Sequence, residues 1–562
     1  MRMNLFDCIE ETAAQGEGQV HWSPRAPFRP RGDFDLMLVP RVPEWREHAG
    51  SRHALERIER EPWVDAVSPG GNQVLLRLDS AWIEQAGATL EAGQGVEPAH
   101  ADLAEGKRYA VYFWGANTTK ALHIGHLRNL ALGHAIGASL EQAGARVERR
   151  SLICDVGRSM GEAMAGVVQS GRDQQVWPDG EEKSDHFVGA CYADYVKAGR
   201  ANGDDDGAED SVARESALYN DKADELMMRV LGGDQQALEL WSKTRAWVIS
   251  GQRKTLARLG IAFDKVIFES DFLPEVLELT NQGLSEGTLT RRDGDDMVMY
   301  ETRRRELEEM PLVRADGLPT QHMRALAYWS AAPELDDMIS LQVCGTEWVP
   351  HVTCRRQLID ELEAANGNGN GSVKGGGPPT HDVFHGMVAR EKRSITSSKE
   401  GALLIDDLTE WLEEQIEADP DRAEVRRNHP DADRVPSQVA LGYFLMQPTS
   451  KRVDFEPGKL LEEEKGSLGW DLARAQAHRG TAALAAERPA EDPDYRFAVV
   501  QSELYRRHLR GSIRDLDVVP LARYLSHFAR WYREGERAPE VERVARTVLG
   551  QGVRGLGLEG AR

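Results

Sequence analysis

Two histidines three positions apart, His123 and His126, lie at the start of a leucine-rich run with helical spacing. The first turn of a helix presents unpaired backbone N–H groups and the positive end of the helix dipole, which favours a bound phosphate. Because residues at i and i+3 share one helix face, both imidazoles would approach the same group. Gly125 leaves room for a base or a ribose, and Lys120 adds a positive charge. These residue types suit the stabilisation of charge that builds on a phosphate during displacement at phosphorus.

A strand–helix–strand unit is needed to position these residues. The apolar stretch YAVYFWGAN (109–117) predicts the first strand, and RVERRSLICDVG (146–157) predicts the second. Thr118 or Thr119 can cap the helix between them, and Gly144 ends it. Such a unit is the building block of a parallel sheet.

The rest of the chain reads as mixed and helical segments. The first hundred residues read as a small mixed module, in which a Pro-Gly-Gly-Asn turn is followed by an alternating strand, QVLLRL (73–78). Residues 159–260 have a helical pattern interrupted by an acidic loop (201–210). Further αβ-type segments follow at 262–272 and 337–348, and the pattern from about residue 437 onwards is helical throughout.

Composition excludes several classes of protein. The chain has 562 residues, which predicts several domains, and no apolar run is long enough to span a bilayer, so a cytoplasmic protein without membrane contact is expected. Its five cysteines are scattered, which argues against a zinc knuckle or a disulfide framework. A net charge of −23 argues against non-specific binding to nucleic acid. Residues 501–562 nevertheless contain twelve Arg against eight Asp or Glu, a mild hint of a local basic surface.

The segment ANTTKALHIGHLRN (116–129) resembles the first signature of class I aminoacyl-tRNA synthetases, whose His-Ile-Gly-His motif binds ATP. The arginyl-tRNA synthetase family typically reads Ser-Pro-Asn-x-x-Lys-Pro-x-His-x-Gly-His-Leu-Arg at this point. The residues that match it are Asn117, Lys120, His123, Gly125, His126, Leu127 and Arg128. The resemblance continues in family order along nearly the whole chain, through CDVGRSMG (154–161), RLGIAFDKVIFESDFLPEV (258–276), RADGLPTQHMRALA (314–327), HGMVAREKRSITSSKEGALLIDDL (385–408) and GYFLMQ (442–447).

This resemblance implies an α/β protein with three domains. A class I synthetase Rossmann-type catalytic domain with a parallel sheet is expected at 106–436, with a helical insertion (about 159–260) and a flexible Gly/Asn-rich insertion (364–379). An N-terminal α+β added domain (1–105) would contact tRNA, and a C-terminal all-α domain (437–562) would bind the anticodon. The expected form is a monomer.

The family's chemistry has two steps. The amino-acid carboxylate attacks the α-phosphate of ATP and releases pyrophosphate, with Mg²⁺ accompanying the nucleotide, and the aminoacyl group then passes to the 3′ end of tRNA. The resemblance assigns catalytic roles to Lys120, His123, His126 and Lys399, and ATP contacts to His123, Gly125, His126, Gly345, Glu347, Met387 and Val388; no residue is assigned to a metal. The usual first lysine of the second signature is Ser394 or Ile395 here, so Lys120 is expected to take over its role.

The amino-acid pocket departs from the family pattern. The positions that would line it are Tyr112, Asn117, Asp155, Gln321, Ala325 and Trp348, with His322 and His351 in the wall. The family has a Glu at position 112, a Tyr at 321, an Asp at 325 and a Gln at 348. A buried guanidinium needs carboxylate partners, which Asp271 or Glu347 would have to supply from elsewhere. Arginine is the expected amino acid, and a diverged paralogue that activates another one, for tRNA charging or for a biosynthetic condensation, is the alternative.

Two readings from other classes remain. GRSMG (157–161) is a Gly-x-Ser-x-Gly sequence between a strand and a helix, which is typical of a hydrolase nucleophile at Ser159. The altered pocket is also compatible with a scaffold that binds tRNA and performs no chemistry.

Overall fold

A computed structural model describes residues 5–14, 22–40, 49–92, 101–173, 182–201, 221–304, 307–331, 337–365, 380–390, 393–394, 403–462, 467–478 and 488–559. In these ranges no helix combines the length and the apolar character needed to cross a membrane. The second-signature residue Lys399 and most of the two predicted loops, 202–210 and 366–379, lie outside them.

The N-terminal unit is an antiparallel sheet packed with helices. Its strands are β1 (Trp22–Arg25), β2 (Leu36–Pro40), β3 (Val64–Gly70) and β4 (Gln73–Leu78), in the order β1-β2-β4-β3, and its helices are α1 (Leu5–Ala14), α2 (Ala49–Glu59) and α3 (Ser80–Glu91). The predicted turn and strand are confirmed, since β4 follows the turn, and β4 pairs with β3 as a hairpin. Burial alternates along β4, with Val74, Leu76 and Leu78 on the covered face.

The central sheet has five parallel strands in the order β12-β11-β5-β6-β7. They are β5 (Arg108–Tyr112), β6 (Arg146–Ile153), β7 (Lys265–Phe268), β11 (Ile339–Gly345) and β12 (Thr380–His385). A short helix, α4 (Ala101–Ala104), precedes β5, and α5 (Ile124–Gln142) joins β5 to β6, which confirms the predicted strand–helix–strand unit. The chain extends from β5 to β6 and β7 on one side and returns to β11 on the other. Open parallel sheets bind their ligands at such a reversal, outside the carboxyl ends of the strands.

The described residues of the predicted helical insertion form four helices: α6 (Arg158–Gln169), α7 (Ser184–Ala201), α8 (Lys222–Leu231) and α9 (Gln235–Leu259). After β7 come α10 (Leu273–Glu286) and a separate antiparallel sheet of β8 (Thr290–Arg291), β9 (Val298–Arg304) and β10 (Leu307–Val313), which the sequence did not suggest. Two helices then cover one face of the central sheet at β11 and β5: α11 (Gln321–Ala331) and α12 (Val349–Ala365).

The described residues of the C-terminal part are mainly helical, and the prediction of helix throughout is wrong only at one short strand, Val453–Asp454. Two short strands, β13 (Val388–Arg390) and β14 (Arg393–Ser394), lead to α13 (Ile405–Glu417), α14 (Pro420–Asn428) and α15 (Val435–Leu445), and β15 (Val453–Asp454) pairs in parallel with β13. The chain ends in α16 (Leu468–Ala477), α17 (Pro493–Asp515), α18 (Val519–Arg533) and α19 (Pro539–Gly555). The boundary predicted at 436/437 falls within α15.

The N-terminal unit, α5 and the C-terminal helices share one continuous apolar core. Polar contacts reinforce it: the Ser139 hydroxyl donates to the Gly555 carbonyl at 2.6 Å. The excess positive charge of the arginines in the last 62 residues is largely neutralised by ion pairs, among them Arg507–Glu10, Arg510–Asp7 and Arg543–Glu91. A count of arginines therefore does not identify a free basic surface on these helices.

Candidate active site

Helix α5 begins with a cap made by the two histidines themselves. The Nδ1 atom of His123 accepts a hydrogen bond from the Gly125 N–H at 3.2 Å, and the Nδ1 atom of His126 accepts one from the His123 N–H at 3.1 Å. The ring centroids are 3.9 Å apart. The predicted threonine cap is wrong, since the Thr118 hydroxyl donates instead to the Cys154 carbonyl at 3.1 Å, at the end of β6.

This cap determines which ring nitrogens carry hydrogen. Each Nδ1 atom accepts a hydrogen bond from a backbone N–H and so carries no proton. When the ring is neutral, its single N–H proton is therefore on Nε2. Burial lowers the pKa of His123 well below its ordinary value, and the neighbouring His126 and Lys120 lower it further. Burial, assisted by Lys120, lowers the pKa of His126 to about 3. Both rings are therefore neutral at pH 7, and each offers one Nε2–H donor.

Positive charge at the helix start comes from Lys120. Its ammonium lies 5.8 Å from the ring centroid of Tyr192, on the insertion helix α7. Burial lowers the pKa of Lys120 to about 8, against the opposing effect of the Glu162 carboxylate. The site thus combines two neutral donors, one cation of reduced pKa and the N-terminus of a 19-residue helix.

Gly125 is required by its own neighbours. A Cβ atom at this position would lie 2.9 Å from Cε1 of His123, which is closer than real Cβ contacts allow. The space expected to admit a base or ribose is thus bordered directly by the His123 ring. A side chain here would displace the ring that caps the helix.

The second-signature segment lies against the first. The Ile124 N–H donates to the Leu403 carbonyl at 3.1 Å, and the Ile405 N–H donates to the Leu122 carbonyl at 3.0 Å. His123 and Leu404 are bridge partners between these two bonds. The segment Leu403–Ile405, which follows Lys399 by four to six positions, is therefore held by hydrogen bonds beside the histidine cap.

A buried arginine holds the next predicted ATP-contact region. Arg128 of α5 is fully buried and donates to the carbonyl of Gly386 at 2.6 Å. It also donates to the carbonyls of Pro448, Thr449 and Lys451. Gly386 directly precedes the exposed Met387 and the buried Val388. Arg128 matched the signature, but its structural role could not be predicted because its partners are more than 250 positions away.

Gly345 and Glu347 lie at the carboxyl end of β11, beside β5 and across the reversal in strand order. Glu347 is exposed, and its carboxylate covers the Gly345 backbone so closely that a Cβ atom there would lie 2.2 Å from it. These two residues are on the correct edge of the sheet for a nucleotide.

The predicted amino-acid pocket contains neutral side chains at the departures from the family pattern. The Tyr112 hydroxyl is 2.5 Å from the Tyr328 hydroxyl and accepts a bond from Arg150 at 3.3 Å. Gln321 begins α11, and Ala325 is buried one turn later.

Trp348 lies in a single-turn 3-10 helix (Thr346–Trp348), with its ring 5.6 Å from His351. The predicted wall residues His322 and His351 stack on each other, with ring centroids 4.5 Å apart.

The acidic residues near this pocket either accept hydrogen bonds from other side chains or are exposed to solvent. Asp155 is completely buried, and its carboxylate accepts bonds from the Ser270 hydroxyl at 2.7 Å and from Arg245 at 2.8 Å. The Asn117 backbone pairs with Cys154, next to Asp155 in the chain. Asp271, like Glu347, is exposed.

The hydrolase reading finds no support at Ser159. Among the residues that the structure describes, Ser159 forms no hydrogen bond with a histidine or a carboxylate. Gly161 is explained by packing, because a Cβ atom there would lie 2.3 Å from the Ala223 carbonyl oxygen of α8.

Known proteins resemble this chain in sequence. A family model described as "tRNA synthetases class I (R), catalytic domain" matches residues 94–327. The arginine–tRNA ligase of Borrelia hermsii is 26% identical over 325 residues, which are 56% of this chain and 51% of that protein. That of Amoebophilus asiaticus is 29% identical over 370 residues, which are 62% of this chain and 59% of that protein. The chain thus aligns with about half the length of the curated relatives it matches.

Solved structures resemble it over its full length. Thermus thermophilus arginyl-tRNA synthetase superposes with a TM-score of 0.68 at 19% identity and covers 99% of both chains. The Plasmodium falciparum arginyl-tRNA synthetase gives 0.66 at 14% identity, over 100% of this chain and 98% of that one. At such identities the likeness concerns the fold, and it confirms the predicted class I synthetase fold. The family model, the relatives and the fold agree that the chain is similar to arginyl-tRNA synthetases, in sequence over part of its length and in fold over all of it.

Proposed function

We propose that this protein is an aminoacyl-tRNA ligase of the arginyl type, which activates an amino acid with ATP and transfers it to tRNA. The observation that carries the proposal is the histidine cap of α5, anchored to the second-signature segment at the carboxyl edge of the sheet. Arginine is the amino acid that the names of its relatives indicate.

The proposed chemistry uses the donors of the cap. The Nε2–H groups of His123 and His126 donate to phosphate oxygens of ATP, and the Lys120 ammonium stabilises the negative charge that increases on them. The carboxylate of the amino acid attacks the α-phosphorus, the bond to the bridging oxygen breaks, and pyrophosphate leaves with the electron pair. Donors that are already oriented reduce the barrier because they need no reorganisation during the reaction.

Magnesium is proposed to arrive with the nucleotide. In the described part of the chain, the one cluster of His, Asp and Glu with metal-ligand spacing is Asp185, His186 and Asp406. The Lys183 ammonium already occupies it, at 3.0 Å from Asp185 and 2.7 Å from Asp406. The cluster therefore does not fit a resident cation, and we derive no step from one.

The reduced pKa of Lys120 predicts an alkaline limit. The Lys120 ammonium is charged below pH 8 and loses its charge as the pH rises through about 8. ATP–pyrophosphate exchange should therefore fall above pH 8, to roughly a tenth at pH 9, and Lys120→Arg should remove this limb because a guanidinium stays charged. The exchange rates of the wild type and of Lys120→Arg, measured with the same substrates across pH 6.5–9.5, test this prediction. Identical alkaline limbs would assign the titration to another group.

An exchange and charging assay tests the proposed function. The purified protein is incubated with ATP, Mg²⁺, total tRNA and each amino acid in turn. Charging with arginine supports the arginine ligase. Bound ATP without exchange for any amino acid would contradict the ligase and favour the tRNA-binding scaffold.

The second candidate is the same chemistry on another amino acid. The neutral groups Tyr112, Gln321, Ala325 and Trp348 favour it, because a buried guanidinium without a carboxylate partner costs about 3–5 kcal/mol. In both candidates, we propose that tRNA contacts residues 1–105 and 437–562. Phosphate contacts would make that affinity fall steeply with salt.

A further inference from the structure

Two adjacent arginines on α12 have different surroundings. Arg356 forms an ion pair with Asp382, with nitrogen–oxygen distances of 2.7 and 2.8 Å. Arg355 is half-buried and donates to the neutral Gln342 amide oxygen at 2.9 Å, with its guanidinium 5.5 Å from the Trp329 ring centroid. Within the described ranges, Arg355 has no carboxylate within ion-pair distance. Burial lowers its pKa to about 10, so it remains charged at pH 7.

Two further polar groups at this place have no hydrogen-bond partner among the residues that the structure describes. His322 is 5% exposed, and its Nε2 atom is buried without a hydrogen-bond partner in the described part of the chain. The indole N–H of Trp329 is also buried and has no hydrogen-bond partner among the described residues. Burial, with smaller effects of His351 and Arg355, lowers the pKa of His322 to about 3, so its neutral ring keeps one N–H.

These groups lie beside residues of the predicted amino-acid pocket. His351 stacks on His322 and lies one turn before Arg355 on α12, and Trp329 lies two turns after His322 on α11. The Trp329 ring is 4.9 Å from the Tyr112 ring, at the position where the family has a glutamate. The site thus contains a guanidinium and two buried groups that lack a hydrogen-bond partner within the described ranges.

The nearby acids form their ion pairs with other arginines or are exposed, although the Asp382 carboxylate also acts on Arg355 from beyond ion-pair distance and partly opposes the effect of burial on its pKa. Glu269 is paired with the fully buried Arg324 at 2.7 Å, and Asp382 is paired with Arg356. Asp271 and Glu347 are exposed. Leaving a buried donor unsatisfied is costly, and a carboxylate can accept several donors at once. A basic side chain would instead meet Arg355 at close range.

We infer that the amino-acid pocket accepts a substrate whose side chain ends in a carboxylate, with Arg355 as the residue that selects it. This inference rests on the proposed ligase function and specifies its second candidate. Trp329 and His322 complete the recognition through their ring N–H groups.

The test measures tRNA-dependent ATP–pyrophosphate exchange with aspartate, glutamate and arginine, in the wild type and in two variants. We expect exchange with an acidic amino acid and not with arginine. Arg355→Met should reduce kcat/KM for the acidic substrate by about 10- to 100-fold, mainly through KM, and Arg355→Lys should recover part of it, as for a hydrogen-bonded charge pair. ATP binding, measured by calorimetry, should be unchanged in both.

Arg427→Met is the matched control, since Arg427 is an exposed arginine on α14. Exchange with arginine alone would overturn the inference and leave the ligase intact. Exchange with an acidic amino acid that Arg355→Met does not affect would overturn the role of Arg355. ATP binding without exchange for any amino acid would overturn both the inference and the proposed function.

Discussion

Replacement of His126 by alanine is expected to slow ATP–pyrophosphate exchange by about 100- to 1,000-fold. Loss of one oriented donor to a charge that develops in the transition state typically has this effect. In this protein the substitution removes two features: the Nε2–H donor, and the Nδ1 acceptor that caps the His123 N–H at 3.1 Å. Single-turnover formation of the adenylate measures the chemical step directly.

His126→Asn separates these two features. An asparagine oxygen can still accept from the His123 N–H, as capping side chains do, but the imidazole donor is lost. We expect His126→Asn to fold with the stability of the wild type and to remain about as slow as His126→Ala. His53→Ala, at an exposed histidine of α2, should be fully active. If His126→Asn restored most of the rate, the histidine would serve only as a cap.

Local patterns predicted the elements around the site. The β5–α5–β6 unit and the insertion helices follow from apolar spacing within a short window, as does strand β4 after its turn in the N-terminal unit. The threonine cap failed for a physical reason. Capping preferences favour Thr118 or Thr119, but the helix begins later, at the His123 cap, and the Thr118 hydroxyl donates to the Cys154 carbonyl just after β6.

Contacts between distant segments could not be predicted in this way. No spacing rule relates Arg128 to the carbonyls of 386 and 448–451, or Leu122 to Ile405. Nothing in the sequence placed Arg355 near a substrate either, because two adjacent arginines on a helix usually face solvent. Only the fold shows that Arg356 has an acid while Arg355 has an amide and an indole ring.

The joint between the N-terminal unit and the C-terminal helices leads to the prediction with the largest effect on stability. Asp35, which precedes β2, and Arg496 of α17 form an ion pair 461 positions apart, with side chains 2% and 1% exposed. The nitrogen–oxygen distances are 2.5 and 2.9 Å. Arg496 also donates to the carbonyls of Leu78 and Ala490, and Asp35 accepts from the Leu78 N–H at 2.8 Å.

Asp35→Ala should therefore destabilise the N-terminal unit by about 3–5 kcal/mol, because it leaves a buried guanidinium without its carboxylate. Native-state hydrogen exchange of β4 measures this as the free energy of opening, and the Leu78 amide should lose the most protection. Combining Asp35→Leu with Arg496→Met should recover much of the loss, since an apolar pair removes the uncompensated charge. Asp33→Ala, at an exposed acid two positions away, should change the free energy by less than about 0.5 kcal/mol. Equal protection of β4 in Asp35→Ala and the wild type would mean that the apolar core alone holds the two parts together, and the ion pair would then contribute specificity of docking without net stability.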